Sequence, residues 1–173
     1  MTALNFRILT VVAALFIFSG LVLGAQADPE PVRISQFSGK PVPRFESLRY
    51  TAVHGRQGPS LDHPILWRYE KEGLPMLIVR ETNGWRRVRD KDGDEVWMQA
   101  RMLSADRKVV AIDETILYRK PGTDAVKRAT LKPGVIADLE LCDGMWCRVR
   151  IGRETGWIEK TSLWGVETAT GGL

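Results

Sequence analysis

One strand pattern occurs twice in this chain. Trp85-Arg86-Arg87-Val88-Arg89 is echoed by Trp146-Cys147-Arg148-Val149-Arg150, 61 residues later, and Gly73 is echoed by Gly134 at the same offset. Past these runs the offset is 60: Trp97 answers to Trp157 and Leu103 to Leu163. A shared offset with one slip marks a structural unit used twice, with one residue lost from a loop between strands. The chain therefore holds two units of roughly 60 residues each, and a unit of that size buries a small core and is marginal alone. Asp106-Arg107-Lys108 between them is too short for a free tether, so the units are expected to touch.

Ahead of the units stands a leader. Arg7 is the only charge before Asp28, Ile8 to Leu23 is almost wholly apolar, and Ala25-Gln26-Ala27 places small residues where a signal peptidase reads. That combination is the pattern of a secretory signal peptide, and the apolar run is short for a membrane anchor, which needs about 20 residues. Cleavage after Ala27 is expected, leaving a mature chain that is periplasmic or secreted, with no transmembrane segment. Losing Arg7 takes the net charge one below the +4 of the full chain. So mild a balance argues against a nucleic-acid partner, which calls for one-sided charge, and leaves room for weak attraction to an anionic wall polymer or membrane surface.

The mature chain reads as all-β. Short strand-like runs alternate with Gly or Pro turns every 8–12 residues, which points to small barrels or sandwiches. Helical periodicity is confined to the leader, apart from single turns expected near Gln99 to Leu103 and Thr161 to Trp164. Pro29, Pro31, Pro41 and Pro43 make residues 28–44 read as an extended linker, because proline has no N–H for a central strand. The expected layout is signal peptide 1–27, linker 28–44, first unit 45–104, second unit 105–167 and tail 168–173.

Export gives the cysteines meaning. Cys142 and Cys147 flank Asp143-Gly144, a dipeptide that favours a hairpin, and an oxidising compartment tends to close such a pair. A structural disulfide is the favoured reading, beside free thiols. A metal site would need more than two Cys, and a C-x-x-C redox motif is absent.

Catalysis is poorly provisioned. His54 and His63 are the only histidines, and nothing in the sequence sets either beside a nucleophile, as a Ser-His or Cys-His pair requires. His54, Asp62 and His63 lack a helical face and a full ligand set for a metal, and Asp92 and Asp94 read as solvated turn residues around Gly93. No enzyme activity, cofactor or metal is expected. The repeated Trp85, Trp97, Trp146 and Trp157 read as core, one pair per unit. Trp67, Tyr69 and Trp164 have no counterpart in the other unit, and for Trp67 and Tyr69 two readings stand, groove lining or core. Arg86, Arg87, Arg89, Arg148 and Arg150 read first as a solvated strand face, and second as forks for carboxylates or phosphates.

Taken in order, Arg56-Gln57-Gly58-Pro59-Ser60, Gly73, Gly84-Trp85-Arg86-Arg87-Val88, Glu95-Val96-Trp97-Met98 and Leu103 resemble the bacterial SH3-like domain family. Pro121-Gly122, Gly134, Trp146-Cys147-Arg148-Val149, Gly156-Trp157-Ile158 and Leu163 repeat the set. Leader, linker and two units together resemble exported tandem SH3-like proteins of Gram-negative bacteria. The resemblance implies two small SH3-like β-barrels that recognise peptidoglycan or an extended peptide of an envelope protein. The alternative is a scaffolding protein of an envelope complex with no small-ligand site. Arg56, Trp67, Tyr69 and Arg87 are the residues proposed to form a groove in the first unit. There are departures: His54 and Gly55 stand where Asn and an aliphatic residue are common, and Val96 replaces the usual Gly before Trp97. The second unit lacks the full R-x-G-P-S element, which would make it a structural partner rather than a binder.

Overall fold

The computed structural model describes residues 31–166, so the leader at 1–27 and the tail at 168–173 lie outside the described residues. A small hairpin of β1 (Arg33–Ile34) and β2 (Pro41–Val42) comes first. The first unit holds β3 (Arg44–Leu48), β4 (Val53–Arg56), β5 (Ile65–Tyr69), β6 (Pro75–Thr82), β7 (Trp85–Arg89), β8 (Glu95–Gln99) and β9 (Leu103–Ser104). The second holds β10 (Lys108–Ala111), β11 (Thr115–Tyr118), β12 (Lys127–Leu131), β13 (Ile136–Asp143), β14 (Trp146–Ile151), β15 (Glu154–Glu159) and β16 (Leu163–Trp164). Single 3-10 turns at Ala100–Met102 and Lys160–Ser162 precede β9 and β16.

The repeat in sequence is a repeat in topology. Each unit is a seven-stranded antiparallel sheet, ordered β5-β4-β8-β7-β6-β3-β9 in the first and β12-β11-β15-β14-β13-β10-β16 in the second. Gly73 and Gly134 recur because both sit at turns entering the long strands β6 and β13 with φ of 79° and 81°, a left-handed conformation that penalises any Cβ.

Each sheet wraps its own core, led by Val53, Ile78, Val88, Val96 and Met98 in one unit and by Leu117, Leu139, Val149 and Ile158 in the other. The four repeated tryptophans are not in these cores, contrary to expectation. All four are half-buried. The reason is the two-residue period of a strand. Val96 and Met98 are buried, which turns Trp97 to the other face; Cys147 and Val149 are buried, which turns Trp146 out beside Arg148 and Arg150. Small aliphatic side chains fill the cramped interior, and the tryptophans cover the outside of the β7–β8 and β14–β15 hairpins.

The two cores solve one packing problem in opposite ways. A Cβ on Gly55 would stand 2.6 Å from Val96 Cγ2, and a Cβ on Gly156 would stand 2.6 Å from Leu117 Cγ. Gly55 corresponds to Leu117 and Val96 to Gly156 in the repeat. The departures at Gly55 and Val96 are therefore one exchange, small for large on β4 matched by large for small on β8.

The 28–44 stretch is not simply a linker. Val42 is 1% exposed and belongs to the first core, and β3 begins at Arg44. The hairpin is fixed by Arg33 Nη2 donating to the carbonyl of Val79 at 3.0 Å and by Ser38 Oγ donating to Glu81 Oε2 at 2.5 Å. Beneath it Glu81 meets Arg44 Nη2 at 2.5 Å and Arg86 Nε at 2.7 Å, and Arg44 also reaches Glu46 at 2.9 Å. Burial alone would raise the Glu81 pKa, but hydrogen bonds from Ser35, Ser38 and Arg44 and the Arg44 charge hold it below the ordinary carboxylate value. A carboxylate depressed in the folded state contributes stability above its unfolded pKa, about 4.3, and loses it as pH falls through the folded value. Thermal melts between pH 6 and pH 2.5 should therefore fall more steeply for the parent than for Glu81→Gln. Parallel curves would show that the network does not hold the charge.

The units touch, as the short junction requires. Trp164 Nε1 donates to the carbonyl of Pro75 at 3.1 Å, and the Trp164 ring meets Phe45 edge-on at 5.2 Å. Lys71 Nζ donates to the Gly134 carbonyl, which joins the two glycine turns. Trp164 is thus unmatched in the repeat because it pins one unit to the other.

Candidate functional site

The residues proposed to form a groove fall on two faces of the first sheet. Arg56 stands directly opposite Trp97 on β8, and Trp97 directly opposite Arg87 on β7. Trp67 stands opposite Gly55, the neighbour of Arg56 on β4 and hence on its other face. The structure does not bring Arg56, Trp67, Tyr69 and Arg87 into one groove.

Two of the four are occupied. Arg56 Nη1 donates to the carbonyls of Leu61 and His63 at 2.9 and 2.8 Å, and so clamps the loop it opens. The clamp is seconded by Gln57 N to Pro64 O at 3.0 Å and by the His63 ring, which lies against Gly58. The Tyr69 hydroxyl donates to Asp90 Oδ2 at 2.8 Å, and Asp90 Oδ1 accepts the amides of Asp92 and Asp94 at 3.0 Å each. Burial first, then that hydrogen bond and the charges of Asp90, Asp94 and Asp92, push the Tyr69 phenol far above its ordinary pKa. Tyr69 ties the end of β5 to the β7–β8 turn and packs on the first core. Arg87 pairs with Glu95 at 2.8 Å and stays partly exposed.

What remains open is the strand itself. β5 is the last strand of its sheet, with β4 on one side. Ile65, Leu66 and Trp67 are 47%, 51% and 51% exposed, with Leu61 of the preceding loop at 62%. The corresponding strand of the second unit, Lys127–Leu131, exposes Lys127, Arg128, Ala129 and Thr130 instead. Charged residues are the usual protection of a sheet edge. The second unit's edge opens with two such charges, whereas the first opens with three exposed apolar residues and has one charge, Arg68, further along. Sequence reasoning found Trp67 by its lack of a counterpart; Ile65 and Leu66 carry no signal until the strand order shows that β5 is an edge.

The bacterial SH3 domain pattern matches residues 50–105 and again residues 111–165, more than half of the chain. The chain belongs to the bacterial SH3 domain family. The two matches fall on the two sheets, starting just after β3 in one and at the end of β10 in the other, so this is a tandem bacterial SH3 protein, and the hairpin Arg33–Val42 lies outside the matched residues. Among solved structures the chain is similar to NlpC2 from Trichomonas vaginalis, at 14% identity and a TM-score of 0.33, over 73% of this chain and 51% of that one. It is likewise similar to NlpC1 from Trichomonas vaginalis, at 13% identity and a TM-score of 0.33, over 83% of this chain and 49% of that one. The chain spans about half the length of these two structures. No curated protein matches it.

Both cysteines of this tandem SH3 protein are engaged. Cys142 and Cys147 are bonded across β13 and β14. No group of three or more His, Cys, Asp or Glu among the described residues is placed to hold a metal. A cleft of about 370 Å³ lies where the units meet. Its charged side chains are largely paired, with Lys108 on Asp138, Asp106 on Ser104 and Arg49 on the Leu103 carbonyl. No helix among the described residues is long and apolar enough to cross a membrane.

Proposed function

We propose that this protein is an exported, non-catalytic binding module of the cell envelope, which takes an extended segment of a partner protein onto the free edge of β5. The observation that carries this is the contrast between the two edges: apolar Ile65, Leu66 and Trp67 in the first unit, cationic Lys127 and Arg128 in the second. An exposed edge offers unpaired N–H and C=O groups to an added strand. Main-chain bonds then supply affinity, and alternate side chains supply specificity. The Trp67 ring beside Leu66 gives such a strand an apolar anchor.

The leader pattern and the bonded cysteine pair both support export, since such bonds persist in oxidising compartments. The non-catalytic reading is supported by the histidines: His54 is exposed and His63 lies against Gly58 inside its loop.

The test is retention on purified wall sacculi beside capture from envelope extract, for the parent and for Trp67→Ala. The variant should stay folded, because Trp67 lies outside the core. Removing an anchor aromatic typically costs about 2 kcal/mol or more, a loss of roughly thirtyfold in affinity. On binding, the β5 amides should gain protection from hydrogen exchange. Retention by sacculi without that protection would assign a wall polymer as the ligand. Self-association abolished by Trp67→Ala would instead assign a scaffold role. Unchanged binding in a folded Trp67→Ala protein would remove β5 from the site.

A further inference from the structure

Three strands away from that edge, the outer face of the first unit carries a second feature. Direct pairings lay one row across five strands: Ile65, Arg56, Trp97, Arg87 and Arg80. Arg80 and Arg87 are directly opposite one another, and like charges in that relation destabilise a strand pair. Arg33 comes close as well, through its bond to the carbonyl of Val79. The acid on this face is Glu95, which already serves both Arg87 and Arg89. Glu81 is buried on the opposite side of the sheet. Among the described residues Arg80 makes no ion pair or side-chain hydrogen bond, and it is exposed.

The second unit provides an internal control. Its row reads Lys127, Tyr118, Trp157, Arg148 and Leu141. Leu141 stands where the first unit has Arg80, and Glu140 stands where it has Val79. Arg148 is closed by Glu140 at 3.0 Å, and Arg150 by Asp138 at 2.7 Å. The same fold thus tolerates a neutral, ion-paired arrangement at this place. The first unit keeps two opposed arginines there, Arg87 sharing Glu95 with Arg89 and Arg80 with no acid of its own, beside a half-buried tryptophan.

We propose that Arg80 and Arg87, flanked by Trp97, form a binding site for an oxyanion, the carboxylate or phosphate of an anionic ligand. Guanidinium forks suit both groups. Two forks on neighbouring strands, one of them without an acid partner, grip an anion that would relieve their repulsion. The site is separate from the β5 edge and does not depend on peptide binding there.

The test uses the mature chain and two probes, linear oligoglutamate for carboxylates and linear polyphosphate for phosphates, followed by tryptophan fluorescence at low salt. The variants are Arg80→Leu, which installs the side chain of the sister position, and Arg128→Leu, which removes one exposed charge from the second unit. Arg80→Leu should weaken binding of the preferred probe about tenfold, the scale of one charge-assisted hydrogen bond. Arg128→Leu should change it less than about twofold, as a distant screened charge does. The melting temperature of Arg80→Leu should be equal to or above that of the parent, since a like-charge pair is removed. The stronger probe identifies the source of the oxyanion. Equal losses in both variants would reduce the effect to general charge. No loss in Arg80→Leu, or a lowered melting temperature with binding intact, would overturn the site.

Discussion

Gly55→Leu alone should unfold the first unit, and adding Val96→Gly should bring it back. The site has no room for a side chain while Val96 is present, because even a Cβ on Gly55 would lie 2.6 Å from Val96 Cγ2. Overpacking a core costs about 1–3 kcal/mol and occasionally more. A clash at the first carbon of the side chain forces β4 and β8 apart, which puts this case at the upper end. So small a unit has little stability to lose. The second unit shows that the exchanged arrangement fits, since Leu117 lies 1% exposed against Gly156. The measurement is a double-mutant cycle by thermal melt and circular dichroism. Coupled neighbours give interaction terms of about 0.5–3 kcal/mol, and here the term should be favourable and large. Additive losses would mean that the two positions do not share one space.

That exchange also shows how far the sequence could be read. The repeat and its Gly and Pro turns give the two units and the fold class, and the Asp143-Gly144 step gives the Cys142–Cys147 hairpin, which the structure closes at directly opposed positions. The departures at Gly55 and Val96 were visible one at a time. Their connection was not, because β4 and β8 are neighbours in space and some 40 residues apart in the chain.

The tryptophans were misplaced for a different reason. In Trp85-Arg86-Arg87-Val88-Arg89 the two apolar residues are three apart and cannot share a face of a strand. Size argued for Trp85 in the core, but Val88 takes it. The second copy held the answer: Cys147 and Val149 are two apart, and a bridged cysteine points inward, which leaves Trp146 outside. The hairpin within the proline-rich stretch has only the Ser38-Gly39 turn as a local signal. Its anchors, the Val79 carbonyl and Glu81, lie 46 and 43 residues away from Arg33 and Ser38. The candidate site was half legible. Trp67 stood out as unmatched, whereas Arg56 and Tyr69 have roles fixed by partners that only the folded chain brings near.

Glu81→Ala should cost the first unit about 3–5 kcal/mol, the usual penalty for breaking a buried ion pair from one side. The Glu81 side chain is 1% exposed, and its partners Arg44 and Arg86 are 10% and 11% exposed. Removing the carboxylate leaves Arg44 with Glu46 and the Pro41 carbonyl, and Arg86 with the carbonyls of Thr82 and Trp85. It also releases Ser38, and with it one of the ties, beside those of Arg33 and Lys40, that hold the Arg33–Val42 hairpin. The repeat gives this position a second meaning. Glu81 and Arg86 are opposed across β6 and β7 as Cys142 and Cys147 are across β13 and β14, and the offset is 61 for both members. One unit closes the hairpin with charge and the other with a covalent bond. Glu81→Cys with Arg86→Cys should therefore form a second disulfide in oxidising buffer, with Arg44 still neutralised by Glu46. Under oxidising conditions that double variant should melt well above Glu81→Ala, and reductant should remove most of the difference. Mass spectrometry of the unreduced protein counts the bonds. A Glu81→Ala protein that melts within a degree or two of the parent would show that the hairpin is held by its apolar face, and that the ion pair merely occupies a place the second unit fills with sulfur.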